Sequence, residues 1–511
     1  MSINGRAAFV LAPFKQGGSP PKPARAPRIS FLAREMLARE AINLFWTVLI
    51  AMLVVAAAAV AAIILIVPML AKRLIHSILT KPMSDTLAEL YISMRSTPPM
   101  DFLYSSLRAN TGDVVIRPMG SARPIHGFDD LALVPAQLSR HPVLATEPVD
   151  LTVTLGKRSR KPMTISMPLY ISGMAYGLAL TKESRLAMAK AARDSDIPLN
   201  SGQGPFLDEE RKLASHYVLQ FGRWAWNRDP DILRQADMIE VQVGQGAQPG
   251  SAVIATPDAV GPEIKRLMHL APDQAPIIHA DLFLKDPQEP SSLKDVVDYI
   301  RSVTDGVPVA LKMGASDTVE HDIDVSLDAG VDIIVIDGTE GATGNAPITL
   351  SDHFGIPSLM ALTRAVKHLK ATHTRDDVDL LISGGFREPG DFLKAYALGA
   401  DAVGLGTIIM FALAHYQITD AVPFYPPTDL VFYRAQPRIP LDVDKASRGA
   451  HNFLESCRQE MAIAIRTMGH RSVHDLSIAD LSALDPDIAS FTGCHYSGRP
   501  RQAETQTEKP S

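Results

Sequence analysis

Two glycine-rich turns late in the chain carry the residue types that bind a phosphate dianion. Gly384 and Gly385 follow one short apolar run, and Gly404, Gly406 and Thr407 follow the next one. Glycine turns on adjacent parallel strands leave backbone N–H groups free to hydrogen-bond a phosphate. In (β/α)8 barrels, the loops after the last two strands commonly build such a site. The alternative is that these glycines only make tight turns, but the doubled pattern favours a phosphate pocket.

Amides, one lysine and several small residues stand at the ends of the other short apolar runs. Because reactive groups lie at the carboxyl ends of barrel strands, these residues would face the same pocket. The set consists of Ser172, Gly173, Met174, Ser201, Gln203, Gln245, Lys312, Glu340 and Gly341. Small residues let a flat ring lie against the backbone. The pattern therefore predicts a planar cofactor with a phosphate tail, and flavin mononucleotide (FMN) fits that description.

The segments that must position these groups alternate between short apolar runs and helical patterns. The apolar runs lie at residues 168–172, 197–200, 238–243, 276–280, 308–312, 332–337, 380–383 and 402–405. Eight strand–helix repeats over roughly 240 residues are typical of a (β/α)8, or TIM, barrel. A doubly wound open sheet is the alternative, but its glycine-rich phosphate loop normally follows the first strand. The predicted fold class is therefore α/β with a TIM barrel.

Composition divides the chain into a barrel and its extensions. We predict a disordered basic arm over residues 1–38, a transmembrane helix over 39–72, a lead-in region over 73–160, an FMN-binding barrel over 161–415, a helical appendage over 416–496 and a disordered tail over 497–511. In the lead-in region, the patterns at 113–119 and 150–156 predict strands. In the appendage, they predict one helix ending at Gly469 and two short helices capped by Ser477 and Asp485.

The segment over 39–72 has the composition of a membrane span. No charged residue occurs from Ala41 to Ala71, and about 20 apolar residues span a bilayer. A buried core helix is rarely apolar on every face, and a signal peptide has a shorter apolar region nearer the start. Basic residues flank the segment on both sides, so they do not set its orientation. The sequence predicts a single-pass membrane protein, and we expect its catalytic domain in the cytoplasm because of what it is predicted to bind.

Charge and cysteine content argue against two other classes of function. The formal net charge is −6 and the basic residues are dispersed through the folded part, so nucleic acid is not an expected partner. The two cysteines, Cys457 and Cys494, match no zinc or iron–sulfur spacing. We therefore expect no metal site and no disulfide framework.

Four segments are similar to motifs of one protein family. Residues 171–177, 199–204, 239–250 and 338–347 match, in the same order, motifs of the FMN-binding synthase domain of glutamate synthase. Each motif alone is weak, but four in one order make the resemblance specific. It covers about residues 150–415 and implies an FMN-binding barrel that acts on a 2-oxo acid.

The resemblance implies a role for each residue of the predicted pocket. The cofactor-binding residues would be Ser172, Gly173, Met174, Ser201, Gln245, Lys312, Gly341, Gly384, Gly385, Gly404, Gly406 and Thr407. Lys312 would lie at the N1/O2 edge of the flavin, where a cation stabilises negative charge on the ring; a surface lysine is the alternative. The catalytic residues would be Lys312, Gln203 and Glu340. Gln203 and Glu340 would contact the substrate, and the alternative for these two is that they are solvated loop residues. His279 and Asp281 would be an acid and a base or a structural pair.

The chain departs from the family's pattern at three places. The family has three cysteines for a 3Fe–4S cluster after its last strand, whereas residues 407–415 contain none. We therefore expect no 3Fe–4S cluster and an electron donor that the sequence does not identify. Two lysines of the family's third motif are replaced by Gln242 and Gln248, which leaves the substrate open. We expect no counterpart of the family's N-terminal amidotransferase domain, so ammonia would come from elsewhere.

The resemblance implies a membrane-anchored FMN-dependent oxidoreductase of glutamate synthase type. It would reduce the imine formed from a 2-oxo acid similar to 2-oxoglutarate and ammonia or an amine, giving an amino acid. Its partners would be that small 2-oxo acid, the lipid bilayer and the unidentified electron donor. One alternative is an FMN oxidase or dehydrogenase of another small acid. The other is a non-catalytic flavin-binding membrane scaffold.

Overall fold

The chain forms two units. The computed structural model describes residues 31–82, 87–251, 253–279, 282, 292–341, 346–421, 428–434 and 438–501. The two units are Met1–Asn110 and Thr111–Ser511. The first contains helices α1 (Phe31–Thr80), α2 (Leu87–Ser96) and α3 (Pro99–Thr111), the last residue of α3 belonging to the second unit.

Helix α1 is long and apolar. It contains 50 residues, with Pro68 inside it. The most apolar 18-residue window of its Ile42–Thr80 part has a mean hydropathy of 3.2, and none of that window is buried. By length and composition it is able to cross a membrane, and no other helix in the described residues is. It extends beyond the predicted bounds 39–72, because the leucine, alanine, arginine and lysine residues on both sides are good helix formers.

The second unit is built around a closed parallel barrel. Its strands are β1 (Leu131–Leu133), β2 (Val153–Leu155), β3 (Met163–Ile165), β4 (Leu169–Ile171), β5 (Pro198–Asn200), β6 (His216–Gly222), β7 (Met238–Gln242), β8 (Val253–Ile254), β9 (Ile277–Ile278), β10 (Val309–Gly314), β11 (Ile333–Asp337), β12 (Asp379–Ser383), β13 (Ala402–Leu405), β14 (Leu481–Ala483) and β15 (His495–Tyr496). The barrel order is β4-β5-β6-β7-β10-β11-β12-β13, and β13 pairs with β4 to close it. The predicted TIM barrel is confirmed.

Helices surround the barrel and follow most of its strands. They are α4 (Lys182–Asp194), α5 (Asp208–Leu213), α6 (Pro230–Leu233), α7 (Pro262–Leu267), α8 (Leu293–Thr304), α9 (Val319–Ala329), α10 (Ile348–His353), α11 (Ser358–Ala371), α12 (Pro389–Leu398), α13 (Thr407–Ala414), α14 (Thr428–Val431), α15 (Val443–Thr467) and α16 (Pro486–Thr492). Local chemistry sets their ends. The Thr181 hydroxyl caps α4 by accepting from the Ser184 N–H, and Gly399 ends α12 in the left-handed region at φ 115°.

One predicted barrel strand is wrong. The sequence predicts a barrel strand at 276–280, but β9 pairs with β8 in an antiparallel hairpin outside the barrel. The missing barrel strand is β6, which pairs with β5 and β7. Its Gln220 donates to the buried Glu240 carboxylate, so β6 does not show the continuous apolar run of a typical parallel strand. The other seven predicted runs overlap barrel strands.

The segments before and after the barrel pack on its outside. Helix α15 covers α4, α12 and α13, which confirms the predicted appendage helix. Asp485 caps α16 as predicted, whereas Ser477 caps only a 3-10 turn, and β14 between them pairs with β1. The strand predicted at 150–156 is β2. The one predicted at 113–119 is wrong, because only Ile116 forms a bridge there, to Pro347.

Candidate functional site

A cavity of about 920 Å³ opens at the carboxyl ends of the barrel strands. Its volume lies within the range of small-molecule and cofactor sites, about 300–1,000 Å³. The predicted site residues that line it are Ser172, Gly173, Met174, Gln203, Gln245, Lys312, Glu340, Gly341, Gly384, Gly385, Gly404, Gly406 and Thr407. The structure therefore brings together every residue of the predicted pocket except Ser201. Which atoms of a ligand each of them contacts stays a prediction.

The two glycine turns form one concave corner of the cavity. Gly384 and Gly385 have φ values of 106° and 84°, which favour glycine. A Cβ at Gly404 would lie 2.5 Å from the Ser172 hydroxyl oxygen, so the backbone approach there also requires glycine. A Cβ at Gly406 would meet no heavy atom within 4 Å, because this residue faces open space.

Helix α13 begins in this corner with its N–H groups uncapped by a side chain. Its N-cap residue is Gly406, and Thr407 is the first helical residue. The first N–H groups of a helix have no partner within the helix, and the helix dipole makes this end positive. The corner therefore combines two glycine turns with a helix N-terminus, which suits a phosphate group.

Lys312 lies in the barrel interior beneath the cavity mouth. Its side chain is 2% exposed, and its Nζ is 3.7 Å from Asp337 Oδ2. The alternative of a surface lysine is therefore wrong. Asp337 also accepts from the Gly246 N–H at 3.1 Å and from the Ser383 hydroxyl at 2.8 Å. These bonds fix the carboxylate, which in turn holds the ammonium at the cavity.

A second carboxylate, that of Glu240, is also buried in the barrel. Glu240 accepts from Asn200 Nδ2 at 2.8 Å and from Gln220 Nε2 at 2.7 Å. Burial, and then the charges of Glu240 and Asp337, raise the pKa of the Tyr170 hydroxyl well above its usual range. Sequence reasoning missed this polar layer. The polar residues of β5, β6 and β7 indicate such a layer only when the pairing of these strands is already known.

Several buried amide groups near the cavity have no hydrogen-bond partner among the described residues. Gln242 is fully buried, and both its Oε1 and its Nε2 lack a partner. The same holds for Nε2 of Gln203 and Nε2 of Gln248, both of which line the cavity. Native structures leave few buried polar groups unsatisfied, because each one costs free energy. These amides therefore indicate a polar ligand in the cavity.

Glu340 lies at the glycine corner of the cavity. Its Oε2 accepts from the Ser358 N–H at 2.9 Å and from the Ser358 hydroxyl at 2.8 Å. A Cβ on Gly385 would be 2.8 Å from the Glu340 Cβ, so the side chain borders that turn. Burial raises the pKa of its carboxyl above the ordinary value.

Two other predicted residues are not among the cavity lining, and a third lies outside the described residues. The Ser201 hydroxyl donates to the Gly202 carbonyl at 3.1 Å and accepts from the Gln220 N–H at 2.9 Å, so it joins β5 to β6 instead of facing the cavity. His279 is exposed and is not part of the cavity lining. Asp281 lies outside the described residues.

A buried ion pair positions the turns that carry Met174 and Ser201. Arg185 donates to both carboxylate oxygens of Glu210, at 2.7 and 2.5 Å. The same guanidinium donates to the Met174 carbonyl at 2.7 Å and to the Asn200 carbonyl at 2.9 Å. Because it bridges the ends of β4 and β5, it holds this side of the cavity in one arrangement. Sequence reasoning missed this pair, whose members are 25 residues apart.

Comparisons with known proteins agree on one family. A family model described as a conserved region in glutamate synthase matches residues 136–471. The chain belongs to the glutamate synthase family. It is 29% identical over 432 residues to a glutamate synthase large subunit-like protein of Rhizobium meliloti (strain 1021), covering 79% of this chain and 96% of that protein.

Two further proteins are similar to the chain. An archaeal-type glutamate synthase (NADPH) of Dehalococcoides mccartyi is 30% identical over 331 residues, covering 60% of this chain. The chain spans 64% of the length of that relative. The crystal structure of mandelate oxidase with benzoyl-formic acid matches with a TM-score of 0.44 and 20% identity, covering 76% of this chain and 96% of that one.

The cavity of this glutamate synthase family member fits FMN. The glycine corner leaves room for a phosphate, since Gly406 faces open space. The ammonium of the buried Lys312, which also lines the cavity, suits the electron-rich edge of a flavin ring. In the described residues, no group of three or more His, Cys, Asp and Glu side chains is placed to hold a metal ion.

Burial of Glu340 predicts a pH-dependent stability. Because the pKa of its carboxyl is raised in the folded state, its contribution is present below the unfolded pKa and is lost as the pH rises through the folded pKa. Glu340→Gln should therefore raise the thermal unfolding midpoint at pH 8, by about 2 °C, and leave the midpoint at pH 4 nearly unchanged. Glu460→Gln, at an exposed position, is the control. Equal pH profiles of the two variants would contradict this prediction.

Proposed function

We propose that this protein is a membrane-anchored, FMN-dependent oxidoreductase of the glutamate synthase type. It would reduce the imine formed from a 2-oxo acid and ammonia or an amine, so that the C=N bond takes up two electrons and two protons and becomes an amine. The observation that carries the proposal is the occurrence, in one cavity, of the glycine corner and the buried Lys312. FMN, when bound, supplies hydride transfer.

The protein's own groups would bind and orient the cofactor. The turns at Gly384 and Gly406 and the N-terminus of α13 would hold the phosphate through backbone N–H groups. Lys312, kept in place by Asp337, would hold a positive charge against the ring. Buried surroundings strengthen this electrostatic interaction, because water does not screen it there.

The proposed location follows from helix α1. Its apolar side chains are exposed over the whole length of the most apolar window. A lipid bilayer would cover them, so that this apolar surface would no longer contact water. We propose a single span with the catalytic unit on the cytoplasmic side. The electron donor would be a soluble or membrane-bound reductant that the fold does not identify.

An absorbance spectrum of detergent-purified protein tests the cofactor directly. We expect a yellow protein with the visible bands of a flavin, and FMN in the supernatant after heat denaturation. Anaerobic titration with candidate reductants should then bleach those bands. Protein that stays colourless after incubation with FMN would contradict the proposal.

Steady-state assays separate this function from its rivals. Amino acid formed from a 2-oxo acid and ammonia, or from the 2-oxo acid and an amine, supports the proposed reaction. Oxidation of a hydroxy acid instead would favour an FMN oxidase or dehydrogenase. Bound FMN without turnover of any tested acid would favour a flavin-binding membrane scaffold.

A further inference from the structure

One wall of the cavity is made of uncharged residues. Its polar members are Gln203, Gln245 and Gln248, and its apolar members come from the β8–β9 hairpin and the segment after β4. We call this surface the glutamine wall. The hairpin and β4-side residues that line it are Leu178, Val253, Ala255, Pro276 and Ile278. No ionisable residue occurs among the described lining residues of these segments.

The charged lining residues come from other segments of the chain. Lys312 and Asp337 form an ion pair in the interior, with 3.7 Å between Nζ and Oδ2. The remaining described ones are Arg123, Asp129, Glu340, Arg387, Glu388 and Asp391. Asp337 borders the glutamine wall, since its Oδ2 accepts from the Gly246 N–H at 3.1 Å, and Lys312 is paired with this carboxylate.

The amides of the wall are arranged to donate hydrogen bonds. Gln248 is 5% exposed, and its Oε1 accepts from Gln245 Nε2 at 3.3 Å. Reciprocal backbone bonds between Gln245 and Gln248, at 3.1 and 2.9 Å, fix this turn. The Nε2 groups of Gln248 and Gln203 have no partner among the described residues. They therefore offer neutral N–H donors to a ligand.

The apolar part of the wall is packed against a hydrophobic cluster. Ile278 is 4% exposed and belongs to a hydrophobic cluster with Trp224 and Trp226, against which Val253 and Ala255 pack. Strands β8 and β9 pair at Val253 and Ile278. A well-packed hairpin keeps its shape when a ligand binds, so the wall acts as a preformed apolar surface.

From this wall we infer the class of side chain that the substrate carries. This inference rests on the proposed function. The side chain of the 2-oxo acid is uncharged, either apolar or ending in an amide, and is not a second carboxylate. Burying a carboxylate against neutral donors and apolar groups costs free energy that no cation of the wall offsets. Burying an amide or alkyl group against the same wall costs much less free energy.

Two ligands of nearly identical shape test the inference. 2-Oxoglutarate and its 5-amide, 2-oxoglutaramate, differ in the charge at one end only. Isothermal titration calorimetry on the full-length, detergent-purified protein should give at least about 10-fold tighter binding of the amide. Gln248→Lys places a cation in the wall and should reverse this preference. Gln459→Lys adds the same charge at an exposed position of α15 and should not change it.

The outcomes separate this inference from the proposed function. Tighter binding of 2-oxoglutarate by the unsubstituted protein, equal binding of the two ligands, or binding of neither would overturn the inference, even in a yellow, FMN-containing protein. Preference for the amide in a colourless protein would support the inference while contradicting the proposed function. Calorimetry reads binding without turnover or flavin absorbance, so each result has one meaning.

Discussion

Replacing Lys312 by methionine is expected to lower turnover about 100-fold. Losing one group that stabilises the charge formed in a reaction typically has an effect of this size. Methionine keeps the length and the apolar part of the side chain but removes the ammonium. Because Lys312 is 2% exposed, little water replaces the lost charge. The reduction potential of bound FMN should also fall, which a dye-equilibrated anaerobic titration measures independently of turnover.

A double variant separates this effect from a loss of stability. Lys312→Met alone leaves Asp337 as a buried carboxylate without its cation, which is destabilising. Lys312→Met with Asp337→Asn removes both charges, so the unfolding midpoint should recover while the potential stays low. Lys265→Met, at a buried lysine outside the cavity lining, is the matched control. An unchanged potential in both Lys312 variants would show that this cation does not act on the flavin.

The barrel could be predicted from the sequence because most of its strands are apolar on both faces. The core of β11, Ile333 to Ile336, is fully buried, and such runs stand out between helical patterns. Strand β6 could not be found in this way, because Gln220 contributes to a polar layer inside the barrel. The run at 276–280 is apolar like a barrel strand, but Ile277 and Ile278 pair with β8 outside the barrel.

The candidate site was more predictable than the contacts that support it. Strand ends lie at one rim of the barrel, so residues as distant in sequence as Ser172 and Thr407 line one cavity. Hydrogen bonds from one element to another are not encoded locally. The Ser201 hydroxyl, the bonds from Ser358 to Glu340 and the bridge from Arg185 to two strand ends all depend on tertiary packing.

The lead-in segment shows the same limit. Val114, Ile116 and Met119 line the cavity, although they form no strand. Their alternating apolar pattern predicts a strand, yet their role is to cover part of the cavity. Val114 and Ile116 stay exposed, so the alternating pattern did not mark the buried face of a strand.

Replacing Gly406 by valine is expected to weaken FMN binding by about 10- to 100-fold, the value of one charge-assisted hydrogen bond. A Cβ there meets no heavy atom within 4 Å, so the side chain begins in open space. The added methyl groups would occupy the space in which a phosphate approaches the N-terminus of α13. Binding is measured by fluorescence quenching of FMN on titration with the flavin-free protein.

A matched glycine distinguishes a blocked phosphate corner from a weakened fold. Gly390 lies in the first turn of α12 and outside the cavity lining, and the nearest heavy atom to a Cβ there is Glu388 Oε1 at 3.8 Å. Gly390→Ala should therefore keep the FMN affinity. Gly406→Val should lose affinity, and its unfolding midpoint without flavin measures separately what the side chain costs at the backbone angles of this residue, φ −116° and ψ −97°. Equal FMN affinities of the two variants would place the phosphate away from α13, and the glycine corner would then be a turn without a ligand.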